Sequence, residues 1–230
     1  MRMKMSVLAA SVAVALNATA GTMGAVEEAH PWSVLGSLGY TWFNDAYSGG
    51  ALADPTAQTA IGDGQTVVGR FAIARDVYAY DFEGFKTVHF GLELGVQNGN
   101  TIRLGIPQAN LDIVGGLPVQ STIKPMMDLL GTLTLQPMDE YPAFGVVKLG
   151  VAYRRMQIND RVTFNDLSEA AFEVQGGLGY KISDRADLSL SYQGIFNGST
   201  NYTINSTTFT GHVSNIPNQN GLLLTLAYAV

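Results

Sequence analysis

The chain has 230 residues, of which 47% are hydrophobic and only 14% are charged, and its formal net charge is −6 at pH 7. A soluble domain usually carries about 25% charged residues, so much of this chain's surface is expected to face something other than water. The acidic balance disfavours nucleic acid as a partner, and the absence of Cys excludes disulfides and thiolate metal sites.

The first twenty residues resemble a secretory signal peptide. Arg2 and Lys4 precede an apolar run over residues 6–16, and Ala18-Thr19-Ala20 has the small-x-small pattern of a cleavage site. The apolar run is shorter than the roughly 20 residues that a membrane-spanning helix needs. We therefore predict a signal peptide over residues 1–20 and an exported mature chain that starts at Gly21.

The first predicted strand covers about residues 32–42 and carries Trp32 and Trp42 on the same face. At about 3.3 Å per residue and a tilt near 40°, this strand spans roughly 25 Å, the height of an outer-membrane apolar band. Indole rings prefer the level of the lipid headgroups. The strand is therefore predicted to place one tryptophan at each membrane interface.

Seven further segments alternate between apolar and polar residues with a period of two, which predicts strands. The third strand is the clearest, with Val88, Phe90 and Leu92 on one face and Glu93 on the other. Pro125 cannot donate to a strand ladder, so it is predicted at a strand start or a bulge. The predicted strands cover about residues 65–74, 87–97, 122–135, 143–153, 170–181, 186–196 and 221–230. Three tyrosines near the strand ends are predicted membrane-interface aromatics: Tyr153, Tyr180 and Tyr228.

The connections between these strands alternate in length. Outer-membrane barrels have short periplasmic turns and long outer loops, and the connections after the odd-numbered strands are the long ones. The predicted long loops cover residues 43–64, 98–121, 154–169 and 197–220. We therefore predict a short periplasmic segment over residues 21–31 and an all-β, transmembrane, up-and-down antiparallel barrel of about eight strands over residues 32–230, with four long outer loops.

Alternation alone does not say which face of a barrel is inside, because a soluble lipocalin-like barrel has the same period with its apolar face inward. Here the apolar faces are aromatic at their ends and aliphatic between, as headgroups and lipid tails require. The opposite faces are mostly Gly, Ser and Thr with a few charges. In lipid the last strand must pair with the first. This pattern favours a closed membrane barrel over a soluble one.

The signal sequence, the strand pattern, the long loops and the final strand Leu222–Val230 resemble the small outer-membrane barrels of Gram-negative bacteria, the OmpA-transmembrane-like and opacity-type surface proteins. Members of that family usually end in Phe or Trp, whereas this chain has Tyr228 third from its end and Val230 last. The resemblance implies an outer-membrane location. It also implies contact with the bilayer and lipopolysaccharide, and assembly by the barrel-assembly machinery through the C-terminal strand.

No constellation of residues predicts an enzyme, a cofactor or a metal site. The chain has three histidines, His30, His89 and His212, and no G-x-S-x-G, Walker or H-E-x-x-H motif. Only His212 falls in an outer loop, and no carboxylate in that loop could orient its ring. The acidic residues of the first loop (Asp45, Asp54 and Asp63) match no EF-hand spacing and are interpreted as a solvated surface.

Charged residues on the polar faces of the strands predict ion pairs inside the barrel. The interior of a barrel of about eight strands is just wide enough for side chains, so inward charges of opposite sign should pair. The predicted network contains three cations and three carboxylates: Arg70, Lys124, Lys148, Glu93, Asp128 and Glu173. Strand order suggests the pairs Arg70–Glu93 and Lys148–Glu173, whereas Lys124 and Asp128 are predicted on one face of the fourth strand, about 13 Å apart. The charges could form a plug or line a narrow ion path.

Two functions are compatible with these features. The first is a structural or surface-interaction barrel that displays its loops to a host or envelope protein, and the second is a small pore or gated channel for ions or small solutes. The second loop is unusually apolar, with Ile102, Leu104, Ile106, Leu111, Ile113, Val114 and Leu117. Such residues could form a partner site, extend the neighbouring strands, or fold over the barrel mouth.

Overall fold

The computed structural model describes residues 32–46, 64–82, 85–113, 119–136, 142–159 and 163–230. The predicted signal peptide, its cleavage site, the segment 21–31, His30, Asp54, Asp63, Val114 and Leu117 lie outside these residues. In the described part of the chain, no helix has the length and apolar character needed to cross a membrane.

The described residues form thirteen strands and one short helix. The strands are β1 (Trp32–Phe43), β2 (Thr66–Phe82), β3 (Phe85–Gln97), β4 (Asn100–Leu104), β5 (Val119–Ile123), β6 (Met126–Gln136), β7 (Ala143–Asn159), β8 (Thr163–Phe164), β9 (Leu167–Ser183), β10 (Ala186–Phe196), β11 (Tyr202–Asn205), β12 (Thr210–Val213) and β13 (Gln219–Ala229), and the helix is α1 (Gln108–Ile113).

Eight of the strands close into an antiparallel barrel in the order β1-β2-β3-β6-β7-β9-β10-β13. The barrel closes because β13 pairs with β1 along nearly its full length, from Ser33 opposite Ala229 to Phe43 opposite Gln219. Each barrel strand thus has a partner on both sides, which is the condition for sheet structure in lipid. The predicted eight-stranded antiparallel barrel is confirmed.

Several strands are longer than the alternation pattern predicted. β2 ends at Phe82 and β3 begins at Phe85, beyond the predicted strand bounds 65–74 and 87–97, and β7 runs six residues beyond Tyr153. The pattern underestimated β7 because the polarity of its two faces changes there. Beyond Tyr153 the inward residues include Met156 and the outward residues include Arg155, so the strand continues while its apolar face turns inward.

The strand predicted over residues 122–135 is broken by a bulge at Pro125. Lys124 N donates to Arg155 O at 2.9 Å, whereas Met127 is already opposite Tyr153. Pro125 and Met126 therefore oppose the single residue Arg154 on β7. A bulge of this kind reverses which residues of a strand face inward, and the location that the sequence predicted for Pro125 is confirmed.

The remaining elements lie beyond the barrel at the end that carries the long connections. β4 and β5 form a hairpin that continues the sheet from β7, and β11, β12 and β8 form a separate three-stranded sheet. We call the end of the barrel that carries the long connections the long-loop end. The opposite end carries Trp32 and Val230, and we call it the short-turn end.

Candidate functional site: the lumen and its apolar cap

The outward face of the barrel is an apolar belt. Leu38, Leu178 and Leu190 are 69%, 75% and 56% exposed, values expected of residues that contact lipid rather than a protein core. On the eight barrel strands as the structure describes them, the outward residues between the levels of Trp32 and Trp42 include no charged side chain. The exposed face is therefore suited to hydrocarbon and unsuited to water.

Aromatic side chains border the apolar belt at both ends. Trp32, Tyr180 and Tyr228 point outward near the short-turn end, and Trp42 and Tyr153 do so near the long-loop end. All five are the aromatics that the sequence predicted at the membrane interfaces. At the short-turn end the Arg75 guanidinium lies over the Trp32 ring, 5.2 Å from its centroid.

Inside the barrel, Arg70 occupies the centre of a buried cluster of charges. Its Nη2 lies 2.6 Å from Glu93 Oε1, and its guanidinium also binds the Asp128 carboxylate through two nitrogens, with Nε donating to Oδ2 at 2.9 Å. Gly95 makes room for this arrangement, because a Cβ there would collide with the Arg70 guanidinium and with Asp128. The three charged side chains come from β2, β3 and β6, so the cluster ties neighbouring strands together.

A second set of polar contacts extends this cluster across the lumen. Lys148 Nζ donates to Glu93 Oε2 at 2.7 Å. Glu173 Oε1 accepts from Gln175 Nε2 and from Gln193 Nε2, both at 2.7 Å. Gln193 also donates to Gln97 on β3 at 3.1 Å, and this bond crosses the lumen because β10 and β3 are not neighbours in the barrel. Polar side chains thus fill the middle of the barrel.

The structure brings together five of the six charged residues predicted from the sequence, and leaves one out. Arg70 contacts Glu93 as predicted, and Asp128 also binds Arg70. Lys148 binds Glu93 rather than Glu173, which is held by amides. Lys124 was predicted to face the lumen, but it lies on the outside of the barrel because the bulge at Pro125 reverses its direction.

The glutamines are members of the lumen cluster that the charge pattern did not identify. Gln97, Gln175 and Gln193 are each at most 2% exposed; Gln175 and Gln193 donate to the Glu173 carboxylate, and Gln193 also links it to Gln97 on the opposite wall. The signal was present in the sequence, because all three share the inward phase of their strands with the charged residues. A search for opposite charges could not find them, since a neutral amide satisfies a carboxylate without balancing its charge.

At the long-loop end, an apolar cluster covers the mouth of the barrel, and we call it the apolar cap. Its residues come from the end of β1, the β4–β5 hairpin and the residues that follow β4, β7, β8 and the last long connection. They are Phe43, Ile102, Leu104, Ile106, Val119, Ile123, Met156, Phe164, Val213 and Ile216, all buried. The apolar residues Ile102, Leu104 and Ile106 of the second loop therefore fold over the barrel mouth, whereas Ile113 is exposed.

Arg154 lies fully buried beside the apolar cap. Its guanidinium is 5.7 Å from the centroid of the Phe43 ring and donates through Nη1 to Pro217 O at 3.0 Å. Nearby, Glu169 Oε2 accepts from Ile216 N at 3.1 Å and from Asn197 Nδ2. These contacts fasten the last long connection to the barrel. The sequence placed Arg154 in a loop and so missed it.

From the short-turn end, a cavity of about 190 Å³ enters the barrel and ends at Glu93 and Lys148. Its wall includes His89, whose Nδ1 lies 3.6 Å from Asp76 Oδ2. The cavity is therefore a vestibule that is open on one side and ends at the charge cluster. His212 lies exposed on β12, and the described residues contain no group of three or more acidic, His or Cys side chains placed to hold a metal.

No family model matches the sequence, and no curated protein matches it. Similar solved structures include the outer membrane protein OprG from Pseudomonas aeruginosa (9% identity, 86% of this chain and 94% of that chain covered, TM-score 0.49). Another is Neisserial surface protein A (11% identity, 86% of this chain and 97% of that chain covered, TM-score 0.41). A third is the attachment invasion locus protein Ail of Yersinia pestis (12% identity, 86% of this chain and 97% of that chain covered, TM-score 0.38). Likeness at this level concerns the fold alone.

The surface of the barrel indicates where in the cell the protein is located. A closed antiparallel sheet satisfies its backbone hydrogen bonds without water, its outside is apolar with aromatic borders, and its inside is polar. This is the construction of bacterial outer-membrane proteins, and it is the reverse of a soluble lipocalin-like barrel. The chain is therefore placed in the bacterial outer membrane, as the sequence predicted.

Proposed function

We propose that the protein is a closed outer-membrane barrel whose function lies in the structure that it displays at the long-loop end. The observation that carries this proposal is that two successive barriers fill the lumen in the described part of the chain. The first is the polar cluster around Arg70, and the second is the apolar cap. A scaffold needs a rigid barrel and has no use for an open path through it.

We assign the long-loop end to the outside of the cell and the short-turn end to the periplasm. The assignment is supported by the lengths of the connections, since outer-membrane barrels have long outer loops and short periplasmic turns. Trp32, Tyr180 and Tyr228 would then lie at the periplasmic interface, and Trp42 and Tyr153 at the outer interface. The predicted segment 21–31 would be periplasmic.

The displayed surface would bind a host or envelope protein. It includes the β11–β12 hairpin, whose turn exposes the aromatic ring of Phe209, 60% exposed, among polar residues. Inside the envelope, the barrel's partners would be the bilayer, lipopolysaccharide and the barrel-assembly machinery, which would engage the strand β13. We assign no catalytic activity and no cofactor to the protein.

A small pore is the second candidate, and the vestibule is the observation that favours it. The cavity brings water-accessible volume as far as Glu93 and Lys148, about halfway through the barrel. Conduction would still require the polar cluster and the apolar cap to open together. Both barriers would have to move, so we rank this function below the closed barrel.

Planar-bilayer recording of the refolded protein tests the choice between the two. We expect no discrete conductance steps, because an ion would have to displace both barriers. Heat-modifiable migration on gels and co-flotation with liposomes serve as controls that the sample is folded and inserted. Steps of uniform size in samples that pass both controls would contradict the closed barrel and support the pore.

A further inference from the structure

Two cations, Lys124 and Arg155, stand directly opposite each other on the outside of the barrel at the long-loop end. Lys124 N donates to Arg155 O at 2.9 Å, which makes them a cross-strand pair. Their neighbours Ile123 and Met156, 4% and 1% exposed, point into the apolar cap. Since successive side chains of a strand point to opposite faces, Lys124 and Arg155 both point outward.

Like charges directly opposite each other in a sheet are destabilising. Among the residues that the structure describes, neither Lys124 nor Arg155 forms an ion pair: the salt bridges found there involve Arg70, Lys148 and His89. Asp166, which lines the same surface cavity as the two cations, accepts a hydrogen bond from Ile158 N at 3.3 Å. The two cations are therefore placed together, and neither is paired with a carboxylate of the described residues.

The level of this pair relative to the membrane indicates which anion could bind there. Arg155 follows the interface aromatic Tyr153 by two residues on the same face of β7, which is about 7 Å along the strand. Ser168 on β9 lies opposite Arg155 and adds a hydroxyl to the row. Lys124, Arg155, Asp166 and Ser168 line a surface cavity of about 150 Å³. The row thus lies just beyond the apolar belt, at the height of lipid headgroups.

We propose that Lys124, Arg155 and Ser168 form a binding site for the phosphate of a glycolipid headgroup in the outer leaflet. The guanidinium can donate two parallel hydrogen bonds to phosphate oxygens, the ammonium adds a point charge, and the hydroxyl adds a further donor. The bound phosphate would also remove the repulsion between the two cations. This site rests on the proposed orientation, because only that orientation places the long-loop end in the outer leaflet.

Native mass spectrometry of the protein in neutral detergent tests the site, with lipid A and dephosphorylated lipid A as the two probes. We expect the wild type to prefer the phosphorylated form by at least about tenfold, since the two cations and the hydroxyl can donate charge-assisted hydrogen bonds only to a phosphate that is present. The double variant K124Q/R155Q should lose the preference, whereas K124R should keep it. The matched control K181Q/R185Q removes two charges from the short-turn end and should bind like the wild type.

Equal binding of both lipids by the wild type, or an unchanged preference in K124Q/R155Q, would overturn the proposal. Complete displacement of lipid A by an equimolar concentration of inorganic phosphate would overturn its assignment to a lipid. Heat-modifiable migration of each variant shows that the barrel has folded. Detergent micelles have no sides, so this experiment does not depend on orientation, which labelling of the β11–β12 hairpin on intact cells tests separately.

Discussion

The polar cluster and the apolar cap fill neighbouring levels of the same barrel by different physical means. In the cluster, each charged side chain has a specific partner, as in the contact of Arg70 with Glu93 and Asp128. In the cap, side chains such as Leu104 and Met156 share a buried apolar volume without directed bonds. The stability of the polar cluster depends on opposite charges and on the directions of hydrogen bonds, whereas the stability of the apolar cap depends on how well its side chains fill the volume.

This difference teaches where each region is vulnerable. Removal of one partner from a buried ion pair leaves an uncompensated charge, so the effect of a single substitution should spread to several strands. Removal of methyl groups from an apolar cluster leaves a cavity whose cost depends on local relaxation. The cluster should therefore control the stability of the barrel, and the cap should control the order of the elements beyond it.

The largest effect is expected from Arg70→Met, which keeps an unbranched, flexible side chain but removes the guanidinium that binds Glu93 and Asp128. The free energy of unfolding should fall by about 3–5 kcal/mol, because buried carboxylates are left unpaired. Urea titration in liposomes, followed by tryptophan fluorescence, measures this change. Arg75→Met is the matched control on the same strand, since Arg75 lies at the rim over Trp32, and it should cost about 1 kcal/mol or less.

The double variant Arg70→Met with Asp128→Leu should recover part of the loss, because it removes a carboxylate together with its cation. Equal stability of Arg70→Met and Arg75→Met would show that the lumen charges are hydrated. A hydrated lumen would no longer be blocked by the polar cluster, and the pore would become the better interpretation of the protein's function.

A smaller effect, confined to the cap, is expected from Leu104→Ala. Leu104 is fully buried in the apolar cap, and truncation of such a residue typically costs about 2–5 kcal/mol. The barrel should stay heat-modifiable while limited proteolysis cuts the long connections faster. Ile113→Ala changes an exposed residue of the same connection and should alter neither. Loss of heat-modifiability in Leu104→Ala would mean that the cap and the barrel unfold as one unit.

The smallest of the three effects is expected from Gly95→Ala, which sharpens the comparison because it adds one methyl group and removes no charge. The new Cβ would overlap the Arg70 guanidinium and the Asp128 carboxylate, and insertion into a filled interior typically costs about 1–3 kcal/mol. Gly36→Ala is the control, because nothing lies within 4 Å of its added Cβ. The same urea titration applies, and identical results for the two variants would contradict a tightly filled lumen.

The alternation of residue types was sufficient to predict the barrel, its closure and the direction of its apolar face. Along each barrel strand, residue types alternate between the two environments, with residues such as Leu222 and Leu224 toward lipid and Thr225 toward the lumen. This alternation is a property of a single strand, so it can be recognised without knowing which strands are its neighbours. The sequence likewise predicted that Arg70 and Glu93 would meet, because they lie on consecutive strands with the same inward phase.

Only the tertiary structure decided which polar groups meet across the lumen and where the barrel ends. Lys148 reaches Glu93 past β6, and Gln193 reaches Gln97 across the barrel, contacts that depend on strand tilt and register rather than on sequence order. The bulge at Pro125 turned Lys124 outward through a single unpaired position. Beyond Tyr153 the surroundings of the barrel change from lipid to water, so apolar side chains point inward into the cap. Apolar residues on the outward face therefore no longer indicate where the strand continues.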